Sequence, residues 1–220
     1  LSVIRRVTVH RGRISLFSDV RLALSTLNTF PEKQKLLQLL SRQTTLMPTL
    51  GITPESDIDA LARYWSGGSR HEEILSLMES LKRAPHGGQI DIVYLLPPFV
   101  RERIYTYPRK TQPPYPDCHY TSMNFFNTEE ESRFLDMSFV HSVVLRDYML
   151  VKDNLQLGDL ILFRKPDDEV VHACNFIADD IVFTKNGQSR GRPWVLMHMQ
   201  DVIDMYSAGD SLNMVVLRRK

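Results

Sequence analysis

An α+β fold is what the sequence predicts, on three observations. Apolar residues recur at helical spacing through most of the first 95 positions. From Leu157 the period changes to two, the mark of strands whose side chains alternate between faces. Turn pairs such as Asp179-Asp180 and Asn186-Gly187 then cut that second region into short segments suited to an antiparallel sheet.

The elements follow in order. Ile14 to Phe30 places Leu16, Val20, Leu22, Leu24 and Leu27 at mixed helical spacing. Pro31 breaks that pattern and suits the first turn of a second helix running through Leu40. Thr53-Pro54-Glu55-Ser56 predicts a helix start, with proline and acid in the first turn and an end near Trp65. Gly67-Gly68 stops it, and Ser69 is placed to cap the next, whose face carries Ile74, Leu75, Leu77, Met78 and Leu81. His86-Gly87-Gly88 closes that helix, and Ile90 to Leu96 is a short apolar stretch ended by Pro97-Pro98. A loop from Pro108 to Pro116 leads to a predicted helix over Cys118 to Asn127, with Met123, Phe125 and Phe126 as its apolar bulk. Glu129 to Glu131 begins a connector, and Phe134 to Val151 reads as helix or mixed structure. Strands are predicted at Asp159–Phe163, Val170–Ile177, Ile181–Lys185 and Asn213–Arg218. The change of texture divides the chain into a helical region, 1–95, and a second region, 96–220.

Composition narrows the function. A net charge of +1 gives no global field for nucleic acid or an anionic membrane. The clusters Arg5-Arg6 and Arg218-Arg219-Lys220 read as solvated termini. No run reaches the roughly 18 apolar residues that a membrane span needs. Two cysteines, Cys118 and Cys174, are too few for a disulfide scaffold in a chain of 220 residues. The histidines at 10, 71, 86, 141 and 198 lack metal-ligand spacing, and no metal or cofactor is expected.

One set of residues suits nucleophilic chemistry. A thiol hydrolase needs a thiolate, an imidazole to exchange its proton, and a polar group to orient the ring. Cys118 opens a helix after a proline-rich loop, where the positive end of the helix dipole lowers a thiol pKa. His172 stands at the start of a predicted strand. The orienting group depends on the hairpin. An odd-length loop around Ala178 or Asp179 puts Thr184 and Asn186 on the face of His172, whereas a two-residue turn puts Lys185 there. Asn186 is preferred because its amide oxygen accepts from imidazole, with Thr184 next. Tyr64, Trp65 and Trp194 read as core aromatics.

Together these residues resemble the NlpC-type papain-like peptidases that trim bacterial cell walls. The matching positions are Tyr107, Asp117-Cys118, Gly158-Asp159-Leu160, the strand led by His172, and the strand from Ile181 to Asn186. The resemblance covers roughly residues 96–220. It implies a papain-like fold, a cysteine-bearing helix packed on a small antiparallel sheet. It also implies an amidase or endopeptidase acting through a thioacyl intermediate on peptides or related amides, peptidoglycan among them. Tyr107 is, by the same resemblance, a substrate contact, and the setting lies outside the cytoplasm. His119-Tyr120 stand where the family has Ser-Gly, and Thr184 stands where it often has His. Those departures keep open a lipid-directed acyl-transfer enzyme of the same fold and a binding module without chemistry.

Overall fold

The computed structural model describes residues 8–11, 14–17, 20–41, 45–67, 69–109, 112–207 and 211–220. Arg5, Arg6 and Gly68 lie outside the described residues.

The period-two region builds an antiparallel sheet of six strands. They are β5 (Tyr148–Val151), β6 (Leu160–Arg164), β7 (Val170–Ala178), β8 (Ile181–Lys185), β9 (Trp194–His198) and β10 (Asn213–Arg219), in spatial order β5-β10-β6-β7-β8-β9. β7 shows why its sequence reads as almost continuously apolar. Ala173 and Ile177 point into one hydrophobic cluster, Cys174 and Phe176 into another on the opposite face. A strand covered on both faces loses the alternation of a half-exposed one. Asp159, 2% exposed, locks the start of β6 to β10, accepting from Arg218 Nε at 2.8 Å and its Nη2 at 2.7 Å. The α+β class is as the periodicities predict.

Eight α-helices occur among the described residues: α1 (Val20–Ser25), α2 (Phe30–Ser41), α3 (Ile58–Ser66), α4 (His71–Lys82), α5 (Pro98–Arg103), α6 (Cys118–Met123), α7 (Met137–Asp147) and α8 (Met199–Tyr206). None is long and apolar enough to cross a membrane. Several depart from the sequence reading. Ile14–Phe17, read as helix, is a strand (β2) paired antiparallel with β1 (Thr8–Arg11). β3 (Thr49–Ile52) pairs β4 (Gly88–Asp91), and both escaped prediction because four-residue strands are too short to show a period. α3 begins later than Thr53-Pro54 suggests. Ser56 Oγ takes the Thr53 N–H at 2.9 Å in a separate turn, and Asp57 caps the helix through the Ala60 N–H at 3.0 Å. Gly67, at φ +53°, ends it. α4 has no side-chain cap at its start, so Ser69 does not serve as one.

Residues on both sides of position 95 share one core. Ile52, Ala62, Trp65, Ile74 and Met78 belong to the cluster that also holds Phe125, Ala173, Ile177, Phe183 and Leu196. Tyr64 Oη donates to the Ile177 carbonyl at 2.6 Å, and the Leu46 N–H to the Leu196 carbonyl at 2.9 Å. The end of α6 is gripped between these layers. A Cβ on Gly67 would lie 2.7 Å from Phe126 Cε1, and one on Gly158, at φ +86°, 2.2 Å from Phe126 Cε2 and Cζ. Only bare backbone on both sides admits that ring.

Candidate functional site

The helix that carries Cys118 is short for a local reason. Asp117 caps its start, accepting from the Tyr120 N–H at 2.8 Å. Asn124 ends it: the side chain donates to the Tyr120 carbonyl at 3.0 Å and accepts from the Glu131 N–H at 2.6 Å. Trp194 Nε1 donates to Thr121 Oγ1 at 2.9 Å, tying α6 to β9.

The hairpin resolves which side chains face His172. Ala178 pairs Ile181, so Asp179-Asp180 is a two-residue turn, yet Phe176 pairs Val182 and a bulge lies between Phe176 and Ala178. The extra residue of the bulge restores the parity that a two-residue turn removes. Thr184 therefore lies on the face of His172, and Lys185 on the other. His172 Nε2 and Thr184 Oγ1 are 2.7 Å apart, with both residues fully buried. Asn186 does not orient the ring, contrary to the sequence expectation. Its Nδ2 donates to Met197 Sδ at 3.1 Å and its Oδ1 accepts from Tyr206 Oη at 3.4 Å.

Cys118 meets β7 where its ladder to β8 ends. Phe176 uses its N–H and carbonyl on the β6 side, bonding Asp159 and Gly158. Strand alternation then turns the Ala173 N–H toward β8. The β7–β8 ladder extends only to the pair Asn175 and Phe183, and at Ala173 the N–H bonds the Cys118 thiol instead. The sulfur thus sits beside the residue that follows His172. Tyr206, from the end of α8, stacks on the His172 ring at 4.0 Å between centroids and lies within charge range of Cys118. His119 lies within charge range of His172. His172 Nδ1 is buried and makes no hydrogen bond.

Burial sets the protonation of the pair. It pushes the Cys118 thiol up to about 11, helped by the Asp117 charge and opposed by the backbone N–H groups of Ala173, His119 and Cys118. It pushes His172 down to about 3. The lowered thiol pKa expected at a helix start is not found, because α6 is a single short turn-and-a-half whose dipole is outweighed by desolvation and by Asp117. The resting pair is neutral thiol and neutral imidazole. Cys174, fully buried in the opposite cluster, is pushed higher still by its burial.

Two cavities flank α6. One of about 580 Å³ is lined by Tyr107, Pro116, Tyr120, Arg103, Glu130 and Trp194, among others, and its described lining includes neither Cys118 nor His172. Tyr107, 43% exposed, stands at that cavity. The second, of about 360 Å³, is lined by His119 and His141 with Met123, Met137, Val140 and Leu160. Among the described residues no three His, Cys, Asp or Glu side chains gather as a metal site would need. Sequence reasoning missed Tyr206, whose helix gave no recognised signal, and the buried role of Lys185.

Thr184→Val leaves both ring nitrogens of His172 without partners in a dry site and is expected to destabilise the fold by roughly 1–3 kcal/mol. Thr184→Ser keeps the hydroxyl and is expected to stay near the wild type. Thermal unfolding of the two variants side by side measures the difference, and equal losses would remove Thr184 as the ring's anchor.

No protein-family model matches the chain, and no curated protein matches it.

Proposed function

We propose that this protein is a cysteine hydrolase with a papain-like NlpC-type arrangement, an amidase or endopeptidase acting on cell-wall peptides or a related amide. The observation that carries the reading is His172: one ring nitrogen is held by Thr184, the other is buried and bare, and the backbone N–H of the next residue, Ala173, bonds the Cys118 thiol. A buried nitrogen without a partner is costly, and a role in proton transfer accounts for it. When Nε2–H donates to Thr184 Oγ1, the lone pair of Nδ1 is left to accept a proton.

The neutral resting pair favours general-base activation over a preformed ion pair. Nδ1 takes the Sγ proton as sulfur attacks the carbonyl carbon, and an S–C bond forms. The Nδ1 proton then passes to the departing amine as the C–N bond breaks. Water, deprotonated by the same nitrogen, releases the acid and restores the thiol. The N–H groups of Cys118, His119 and Ala173 surround the sulfur and favour the thiolate as it develops.

The His119-lined cavity, apolar over most of its wall, favours a second reading, a thiol enzyme acting on lipid amides or esters. One experiment compares them. Purified protein is incubated with peptidoglycan peptides and, separately, with long-chain amides and esters, and new amines and acids are followed by mass spectrometry. Amine release from the peptides, with Cys118 alkylated faster than Cys174 at neutral pH, is expected. Turnover of the lipids alone would move the assignment to the second reading. No turnover with equally slow alkylation of both thiols would leave a binding module.

A further inference from the structure

Tyr206 is the contact that this mechanism leaves unused. It is the last residue of α8, a helix set on the second hydrophobic cluster by the fully buried Val202 and by Ile203 and Met205. Its ring stacks on that of His172, with centroids 4.0 Å apart and planes 17° from parallel. That lies well inside the roughly 6 Å over which a tyrosine face attracts a cation. The face carries negative potential, so a cation laid over it is held more strongly than a neutral ring. The remaining surroundings of the imidazole offer a positive charge little. Thr184 Oγ1 holds Nε2 at 2.7 Å, His119 from α6 opposes a second charge, and no carboxylate lies within ion-pair range of His172 among the described residues. The other titratable or charged groups acting on the stack are Cys118 from α6, Cys174 from β7 and Arg192 from the loop before β9. A second contact fixes the phenol: Tyr206 Oη donates to Asn186 Oδ1 at 3.4 Å, and Asn186 Nδ2 to Met197 Sδ at 3.1 Å. Asn186 thus enters the site through Tyr206 and not through the imidazole.

We infer that the ring face of Tyr206 stabilises the imidazolium form of His172, the form that exists while sulfur is ionised. This rests on the reading of Cys118 as nucleophile and His172 as its base. The stack discriminates between two states of one ring. The resting imidazole is neutral and gains little from it. Once Nδ1 holds the Sγ proton, the same contact acts on a full charge, so it favours the ionised pair over the ground state. Tyr206 exchanges no atom in the cycle. Burial raises its phenol pKa, so the face stays that of a neutral ring. The alternative is packing: the ring fills space over the imidazole, and its electrons have no part.

Fluorination separates electrons from packing. Ring fluorines withdraw density from an aromatic face while changing its shape little. Tyr206→Phe sets the reference, and phenylalanine carrying one, two or three ring fluorines is then placed at position 206. Alkylation of Cys118 by iodoacetamide at neutral pH is followed by mass spectrometry, with thermal unfolding recorded on each protein. The rate is expected to fall with each added fluorine, by about tenfold over the series, while the melting temperature stays nearly constant. Tyr206→Leu, which keeps an apolar side chain and loses the face, should fall at least as far. A rate independent of fluorine number overturns the inference and leaves packing, whether or not Tyr206→Leu folds. His172→Gln tells that failure from the failure of the reading beneath it. If His172→Gln slows alkylation of Cys118 and the fluorine series is flat, the stack alone is overturned. If His172→Gln leaves the rate unchanged, the imidazole is not the base, and the thiol-hydrolase reading falls together with this one.

Discussion

Cys118→Ala is expected to abolish hydrolysis, lowering kcat by roughly four to six orders of magnitude. The size follows from the role. Without sulfur no thioacyl intermediate forms, and only the backbone donors around the site and substrate binding remain to speed attack by water. His172→Gln is expected to match it, because the thiol, held at about 11, is almost wholly protonated at neutral pH and needs a base to ionise. The two losses are not additive. The double variant should be no worse than either single, since each already removes the whole path through sulfur. Cys174→Ala is the control within the same strand. That thiol is fully buried in the cluster of Ile161, Phe163 and Val182, so its loss is expected to leave a cavity and not a chemical defect. Steady-state rates of the four variants on any substrate the protein turns over decide the matter. Residual turnover in Cys118→Ala above the level of water would remove sulfur from the reaction.

The halves of this site differed in how well they could be read. Asp117-Cys118 was legible because capping is local chemistry: an aspartate before a helical run accepts from a nearby N–H whatever the rest of the chain does. His172 was legible because an imidazole stands out near the start of a long, almost continuously apolar strand. The third position was not, because it turned on parity along a hairpin. A two-residue turn alone would have brought Lys185 to the imidazole, and the bulge after Phe176 brings Thr184 instead. A bulge leaves little trace in a single sequence, because its extra residue can be ordinary. Tyr206 and Lys185 were illegible for a further reason. Their surroundings come from what the fold places against them, the stacked ring of His172 in one case and the Gly187 and Ser189 carbonyls in the other. In the helical region the same logic sorts the successes. Pro31 sits in the first turn of α2 as predicted, while Ile14–Phe17 became a strand because hairpin pairing outweighs the weak helical spacing of four residues.

The protein is also expected to lose about 2 kcal/mol of stability between pH 6.5 and pH 4.5 through His172, whose pKa burial pushes from 6.5 to about 3. Across that window the unfolded chain binds a proton at this position and the folded chain does not, so unfolding takes up protons and acid favours it. The contribution is present above pH 6.5 and is lost progressively as the pH falls toward 3. His119, lowered mainly by its own burial, acts in the same direction. Depressed carboxylates act later. Glu131, held at about 2 chiefly by the Arg133 guanidinium, loses its contribution only as the pH falls below 4.5, and it is fully exposed. The interval from 6.5 to 4.5 therefore belongs to the buried imidazoles. Urea unfolding at half-unit steps of pH, on the wild type, His172→Gln and His119→Gln, isolates them. His172→Gln should flatten most of the slope whatever its stability at neutral pH, because the slope counts protons and the absolute level counts packing. Parallel curves for the wild type and His172→Gln would mean that the imidazole already reaches water in the folded protein. Its bare nitrogen would then be solvated, and the feature that singles it out as the base for Cys118 would be gone.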